Sequence, residues 1–151
     1  MVHAAWCGGS AGAVGNQAAW SYFNAAARPN TGIINYQTQG ILRQNTYSNG
    51  TVTIGTGNTG LYLVAGSAEI GYNGGIGGAN ATLEIFLNGA GTGYKATWTE
   101  NNNTTEHGII TVLGLIPSGA GTDTIGIRFS TSVGGNVFAG SGSFIGRYIG
   151  T

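Results

Sequence analysis

The chain has very little charge. Five Lys and Arg stand against five Asp and Glu in 151 residues, 7% in all with zero formal net charge, where an average globular protein carries about 25%. Electrostatic binding of nucleic acid works by counterion release and needs a basic surface that this composition cannot build. Cysteine is nearly absent too. The single Cys7 excludes an intrachain disulfide, so packing and hydrogen bonds alone must hold the fold. Beside Trp6 and small residues, that thiol reads as inert packing. No run approaches the roughly 18 apolar residues of a membrane-spanning helix. Met1 to Ala13 shows no basic segment ahead of an apolar one, so neither a membrane span nor a secretory leader is expected.

What is abundant is glycine, 30 residues, beside 41% hydrophobic side chains. Many apolar residues with few charges is the reverse of a disordered composition. Glycine costs up to about 1 kcal/mol at each helical position, which points to strands and turns. The length suits one domain.

The composition shifts near Arg28-Pro29-Asn30. Residues 1–30 are Ala- and Gly-rich with sparse large anchors, Trp6, Trp20, Tyr22 and Phe23, and read as an N-terminal arm. Residues 31–151 read as the folded domain. Its turn signals are Asn49-Gly50, Asn73-Gly74-Gly75, Asn88-Gly89, Ser118 to Gly121 and Gly134-Gly135-Asn136; Asn-Gly and Gly-Gly accept the positive φ that tight hairpins require. They divide strands expected at Gly32–Gln39, Thr51–Ile54, Thr59–Gly71, Ala81–Leu87, Tyr94–Glu100, Gly108–Ile116, Thr124–Ser130, Val137–Ala139 and Ser143–Ile149. Short strands at this spacing, without helical periods between them, make an all-β sandwich or barrel.

Some strands alternate. Tyr94, Ala96 and Trp98 share one face, and Ile125, Ile127 and Phe129 point inward on another strand. Leu61 to Ala65 and Ile109 to Ile116 are apolar on both faces, although a sandwich has only one interior to fill. Leaving several such side chains in water forfeits several kcal/mol at roughly 25 cal/mol per Å² and invites aggregation. Burial between copies resolves this and predicts a homo-oligomer. The alternative is that the arm folds back over that face.

Four fragments carry a family resemblance. Gly60-Leu61-Tyr62-Leu63-Val64, after Thr51-Val52-Thr53-Ile54, resembles the Gly-x-Tyr-x-Phe strand of the complement globular-head and tumour necrosis factor-like jelly rolls. Leu83 to Gly89 looks like that family's strand ending in an Asn-Gly turn. Gly121-Thr122-Asp123-Thr124-Ile125 is similar to its Gly-Asp-x-Val/Ile element, with Thr122 inserted. Ser141 to Ile149 resembles its closing Ser-x-Phe-x-Gly-x-Leu strand. The resemblance, of the kind found in phage decoration and fibre proteins, covers residues 31–151. It implies a ten-stranded antiparallel jelly-roll sandwich that trimerises about a threefold axis through aromatic and aliphatic side chains. The candidates for that interface are Leu61, Tyr62, Leu63, Ile110, Val112, Phe144 and Tyr148. Residues 1–30 contain no Gly-X-Y repeat of the kind that forms the stalk of collagen-linked complement relatives.

Catalysis needs positioned titratable groups, and the only near-cluster is Glu100, Glu106, His107 and Asp123. Those carboxylates and nearby Asn carbonyls have the oxygen chemistry of a Ca²⁺ site, but a solvated loop is the plainer reading. His3, His107 and Cys7 lack zinc spacing, and the Gly-rich stretches precede strands rather than phosphate-cradling helices. No enzyme, metal or cofactor is expected. The expected function is a homotrimeric decoration or cement protein on a viral capsid, bound between subunits of the major capsid protein, with Trp6, Trp20, Tyr22 and Phe23 as the capsid-binding arm. It would be made in the host cytoplasm, act on the virion surface, and contact neither nucleic acid nor membrane. The alternative is a receptor- or glycan-binding head of a phage fibre or bacterial surface protein, reading its target through the loops at Asn73 to Asn80 and Asn101 to Glu106.

Overall fold

In the computed structural model, the described residues are 19–23, 31–37, 40–72, 78–99, 106–132 and 137–150. Among them all regular structure is antiparallel β, and no helix is long and apolar enough to cross a membrane. The strands are β1 (Ala19–Phe23), β2 (Thr31–Ile33), β3 (Leu42–Arg43), β4 (Asn45–Ser48), β5 (Thr51–Ile54), β6 (Gly60–Tyr72), β7 (Asn80–Leu87), β8 (Ala90–Thr99), β9 (Glu106–Ser118), β10 (Thr124–Thr131) and β11 (Val137–Gly150). Five form one sheet in the order β3-β1-β11-β6-β9. The other six form a second, ordered β4-β5-β10-β7-β8, with β2 also paired to β10.

Two of the hairpins are made by the expected turns. Asn49 and Gly50 (φ 49° and 86°) join β4 to β5, and Asn88 and Gly89 (φ 52° and 77°) join β7 to β8. Positive φ at both central residues matches the twist of the flanking strands, and Asn-Gly adopts it readily. The turn signals at Asn73 to Gly75 and Gly134 to Asn136 include residues outside the described ones.

The inward faces share one core. From the five-stranded sheet come Tyr62, Val64, Ala68, Ile70, Ile110, Val112, Ile116 and Phe144; from the other come Val52, Ile54, Leu83, Ile85, Ile125, Ile127 and Phe129, all buried. Tyr36 fills the gap between its neighbours against Phe144, ring centroids 5.9 Å apart. Burial pushes its phenol well above the ordinary range, so it stays a neutral donor, and it bonds the Ser67 carbonyl at 2.9 Å. Large side chains from one sheet are received by glycines on the other. A Cβ at Gly66 would stand 2.5 Å from Ile127 Cδ1, and one at Gly114 would stand 2.6 Å from the Tyr94 ring.

The strand expected at Gly32–Gln39 is only β2, Thr31–Ile33, and the one expected at Tyr94–Glu100 is β8, which begins at Ala90; three further differences follow. Val137–Ala139 and Ser143–Ile149 are one strand, β11, whose register against β6 shifts between Ala139 and Gly142; the expected break between two strands is an irregularity within one. The short β3 and β4 carry too few apolar residues to announce themselves. Most consequential is β1: Ala19 to Phe23 pair with β11 (Ala19↔Arg147 through Phe23↔Ser143) and Ala19 and Trp20 pair with β3. The sheet therefore begins before residue 30, inside the segment read as an arm.

Candidate functional site

The five-stranded sheet has an outer face of unusual character. On β9 the residues of odd number point out, and Ile109 is 76% exposed, Leu113 57% and Leu115 42%. Beside them, in register on β6, stand Glu69, Ala65 and Leu63. Ala65 and Leu63 in turn pair with Ile145 and Arg147 of β11. The result is a continuous strip, Leu113–Ala65–Ile145 above Leu115–Leu63–Arg147, extended by the exposed Ile149. A hydroxyl row, Thr111–Ser67–Ser143, borders it, with the Ser67 and Ser143 Oγ atoms 2.9 Å apart. The outer face of the other sheet is polar: Thr82 and Thr97 share a hydrogen bond at 3.0 Å, and Arg128, Glu84 and Lys95 form one cross-strand row.

Seven large hydrophobics are exposed among the described residues, and four of them, Ile109, Leu113, Leu115 and Ile149, are on the outer face of the five-stranded sheet; Leu42, on its far edge, has the inward parity of Trp20 and Gly146. Another, Tyr94 on the edge strand of the other sheet, leans over Gly114 of β9. Exposed apolar side chains scattered singly are ordinary; a contiguous group on one face marks a contact surface. Among the described strands β9 is also an end strand, and such an edge carries main-chain groups that no described strand pairs.

The expected interface residues divide. Tyr62, Ile110, Val112 and Phe144 turn inward and are 0–4% exposed. They build the chain's own core and are unavailable to another copy, which corrects that part of the expectation. Tyr148 is half-buried and packs edge-on against Tyr62, centroids 5.6 Å apart, so it too belongs to the inner layer. Leu61 and Leu63 stand on the outer face, half-buried. The candidates are of both parities, and the structure separates them: on β9 the side chains that face out are Ile109, Leu113 and Leu115, which are not among them. Of the arm anchors, Trp6 lies outside the described residues, whereas Trp20, Tyr22 and Phe23 fall on β1, whose backbone is held in the sheet.

The expected near-cluster of titratable groups is not brought together. Glu106 and His107 open β9, while Asp123 contacts the residues just past its other end; a 13-residue strand spans about 40 Å at roughly 3.3 Å per residue. Glu100 and most of the two loops proposed for recognition lie outside the described residues. Asp123 is instead a structural node. Its Oδ2 accepts from Ser118 Oγ (2.9 Å) and the Gly119 and Ala120 N–H groups (2.9 and 3.0 Å), and its Oδ1 accepts from Asn88 Nδ2 (2.7 Å). Asn88 also receives the Thr124 N–H at 2.9 Å. The node therefore ties the β7–β8 turn to the β9–β10 loop. A carboxylate surrounded by donors has its lone pairs committed and is no metal ligand. Among the described residues no group of three or more His, Cys, Asp or Glu is placed to hold a metal.

The Asn88 amide, then the loop N–H groups and Ser118, hold the Asp123 carboxyl below the usual range. A depressed folded pKa contributes stability above the unfolded value, about 3.9, and that stability is lost as pH falls through the folded one. Asp123→Asn is expected to lower stability at pH 7 by about 2–3 kcal/mol, the scale for losing hydrogen bonds to a buried charge. Thermal melts from pH 7 to 2 should show the gap to wild type closing below about pH 4. A gap independent of pH would refute this account of the node.

No protein-family model matches the chain, and a search of the curated proteins finds no match.

Proposed function

We propose that the protein is a structural jelly-roll module that self-associates as a homotrimer and decorates a viral capsid, in contact with the major capsid protein. The observation that carries self-association is the set of exposed large hydrophobics on the outer face of the five-stranded sheet, Ile109, Leu113, Leu115 and Ile149, while the outer face of the other sheet is hydroxylated and charged. A surface divided in this way has one side for copies of itself and one for water. The strand order supports the jelly-roll reading. β1 and β11, β6 and β9 are neighbours in one sheet, and β5 and β10, β7 and β8 in the other; such pairings of early with late strands arise when a long hairpin is rolled into two sheets. Ten strands lie on the two ordered paths, with β2 as an addition. A closed ring of three with the same faces inward covers that outer face in every copy and leaves none of it to propagate.

The decoration role adds the chemistry of the chain: scant charge, no disulfide, and large anchors such as Trp6 in an Ala/Gly-rich leading segment suited to lying along a partner's groove. Light scattering should give three times the chain mass at micromolar concentration. The trimer should then add to purified shells of the major capsid protein from the same source. Trp6→Ala should abolish addition and leave the trimer intact, a cleaner test than removing thirty residues, which would take β1 with them. A monomer at all concentrations sinks the assembly reading; a trimer that ignores capsids sinks the decoration role alone.

A further inference from the structure

We propose that the Asn88-Gly89 turn is a latent site of backbone-assisted deamidation, and that the Asp123 node is what keeps it from reacting. An asparagine followed by glycine holds an electrophile and a nucleophile in one turn. The Gly89 nitrogen loses its proton to water and bonds to Cγ of Asn88; the Cγ–Nδ2 bond breaks, and that proton leaves, through water, with the departing ammonia. A five-membered imide remains. Water then opens it at either carbonyl, leaving aspartate or isoaspartate at position 88. Glycine favours this closure because it has no Cβ to obstruct the approach. The surroundings of Gly89 do not obstruct it either: Gly89 is exposed, and a side chain added there would meet nothing within 4 Å.

What opposes closure is the grip on the carboxamide. Its Nδ2 donates to the Asp123 carboxylate at 2.7 Å, its Oδ1 accepts the Thr124 N–H at 2.9 Å, and the Asn88 N–H donates to the Thr124 carbonyl at 2.8 Å. Closure moves Cγ onto the Gly89 nitrogen and carries both its substituents along, so the bonds to Asp123 and Thr124 must break first. The bond to Asp123 is charge-assisted, which makes it the strongest of them. The Asn49-Gly50 turn is shielded differently. Gly50 is buried, and a Cβ there would stand 2.5 Å from the Ile34 carbonyl oxygen and 2.7 Å from Ile33 Cγ2, so the nucleophile itself is covered. That turn precedes Thr51, whereas Asp123 meets β5 at its other end, where its carbonyl accepts the Ile54 N–H at 2.8 Å. The two shields are therefore separate. Reaction at position 88 is also one-way: the Nδ2 donor is lost, and a second carboxylate faces Asp123 across the same gap, where like charges repel. The β7–β8 turn is then released from the β9–β10 loop.

The test incubates wild type and Asp123→Ala at mildly alkaline pH and follows each asparagine by peptide mapping, from the mass gained when NH2 is exchanged for OH and from the isoaspartate formed. In folded wild type both turns are expected to react far more slowly than in the same chain unfolded in urea. In Asp123→Ala, Asn88 should react faster by about tenfold or more, the factor that a hydrogen bond to a charged group corresponds to, while Asn49 keeps its wild-type rate. Asn49 thus gauges global unfolding in the same sample. Ile127→Ala, which weakens the core and leaves the node intact, should keep Asn88 slow. If Asp123→Ala does not fold, Asp123→Asn takes its place; it retains the shape and loses only the charge, and a smaller acceleration confined to Asn88 is expected. A wild-type Asn88 that reacts as fast folded as unfolded would overturn the proposal, as would a rate at Asn88 that neither substitution changes. A rate that rises in step with Asn49, or equally in Ile127→Ala, would overturn it too, since overall stability and not the bond to Asp123 would then protect the turn.

Discussion

Leu113→Glu is expected to turn the proposed homotrimer into folded monomers. Leu113 is more than half exposed in the single chain, so the substitution deletes nothing from the core and places the carboxylate in water until another copy arrives. On association a buried leucine contributes about 1.5–3 kcal/mol, and an unpaired charge in an apolar contact costs several more. About 3 kcal/mol already corresponds to a factor of more than a hundred in affinity, and a closed ring repeats the contact at every interface. Light scattering should report one chain mass, with circular dichroism and melting showing a folded protein. Two neighbours on the map supply the contrast. Thr97→Glu, exposed on the outer face of the other sheet, should leave the trimer whole. Ile110→Glu, three residues along the same strand but 4% exposed, should unfold the chain. A Leu113→Glu protein with the mass of the wild type would show that the outer face of β9 is not the contact surface.

That contrast depends on parity, and the sequence carried more information about parity than its apolar content alone conveys. In Ile109 to Ile116 nearly every residue is apolar, which reveals that both faces are greasy without saying which is inside. The scarce polar residues decide it. Thr111 on β9, Ser67 and Glu69 on β6, and Ser143 and Arg147 on β11 all occupy the outward parity. Tyr62, by its size and its hydrogen bond from OH to the Asn58 carbonyl at 2.6 Å, belongs inside. Tyr62 and Phe144, named as interface candidates, are aromatic residues that fill the interior, whereas on β9 the outward Ile109, Leu113 and Leu115 are as bulky as the inward Ile110 and Val112, so size alone does not give the parity there.

Other features were legible for reasons equally local. Both Asn-Gly hairpins follow from backbone preference at two residues, which no tertiary contact needs to override. The strand Thr51–Ile54 begins and ends where its alternation does. β1 was hidden because an Ala-rich flank and aromatic residues without alternation do not distinguish an anchor from a strand; its pairing partner lies more than a hundred residues away, on β11. The Asp123 node was invisible for a related reason. It joins groups 35 positions apart, Asn88 and Asp123, and a loop carboxylate that could serve as ligand or as hydrogen-bond hub looks the same until its donors are in place.

Glycine content, the most conspicuous feature of the composition, acts within the core as well as in turns, and the pair Gly66 and Ile127 shows how. Gly66 has inward parity on β6, and a methyl added there would meet Cδ1, Cγ1 and Cγ2 of Ile127 at 2.5, 2.6 and 3.2 Å. Ile127 is fully buried on the facing sheet, so it cannot swing into solvent to make room. Gly66→Ala should therefore destabilise by about 1–3 kcal/mol through overpacking, even though alanine is otherwise favoured over glycine in an ordered strand. Ile127→Ala should cost about 2–5 kcal/mol through the cavity it leaves. The two changes repair one another, since the added methyl enters the space the isoleucine vacates. The double variant is expected to be more stable than the sum of the single losses predicts by at least about 1 kcal/mol, within the range seen for residues in contact. Denaturant titrations of the four proteins, made in the Leu113→Glu background so that dissociation does not enter the equilibrium, measure this coupling. Strict additivity would mean that the sheets separate locally to admit the methyl, and that Gly66 does not set their spacing.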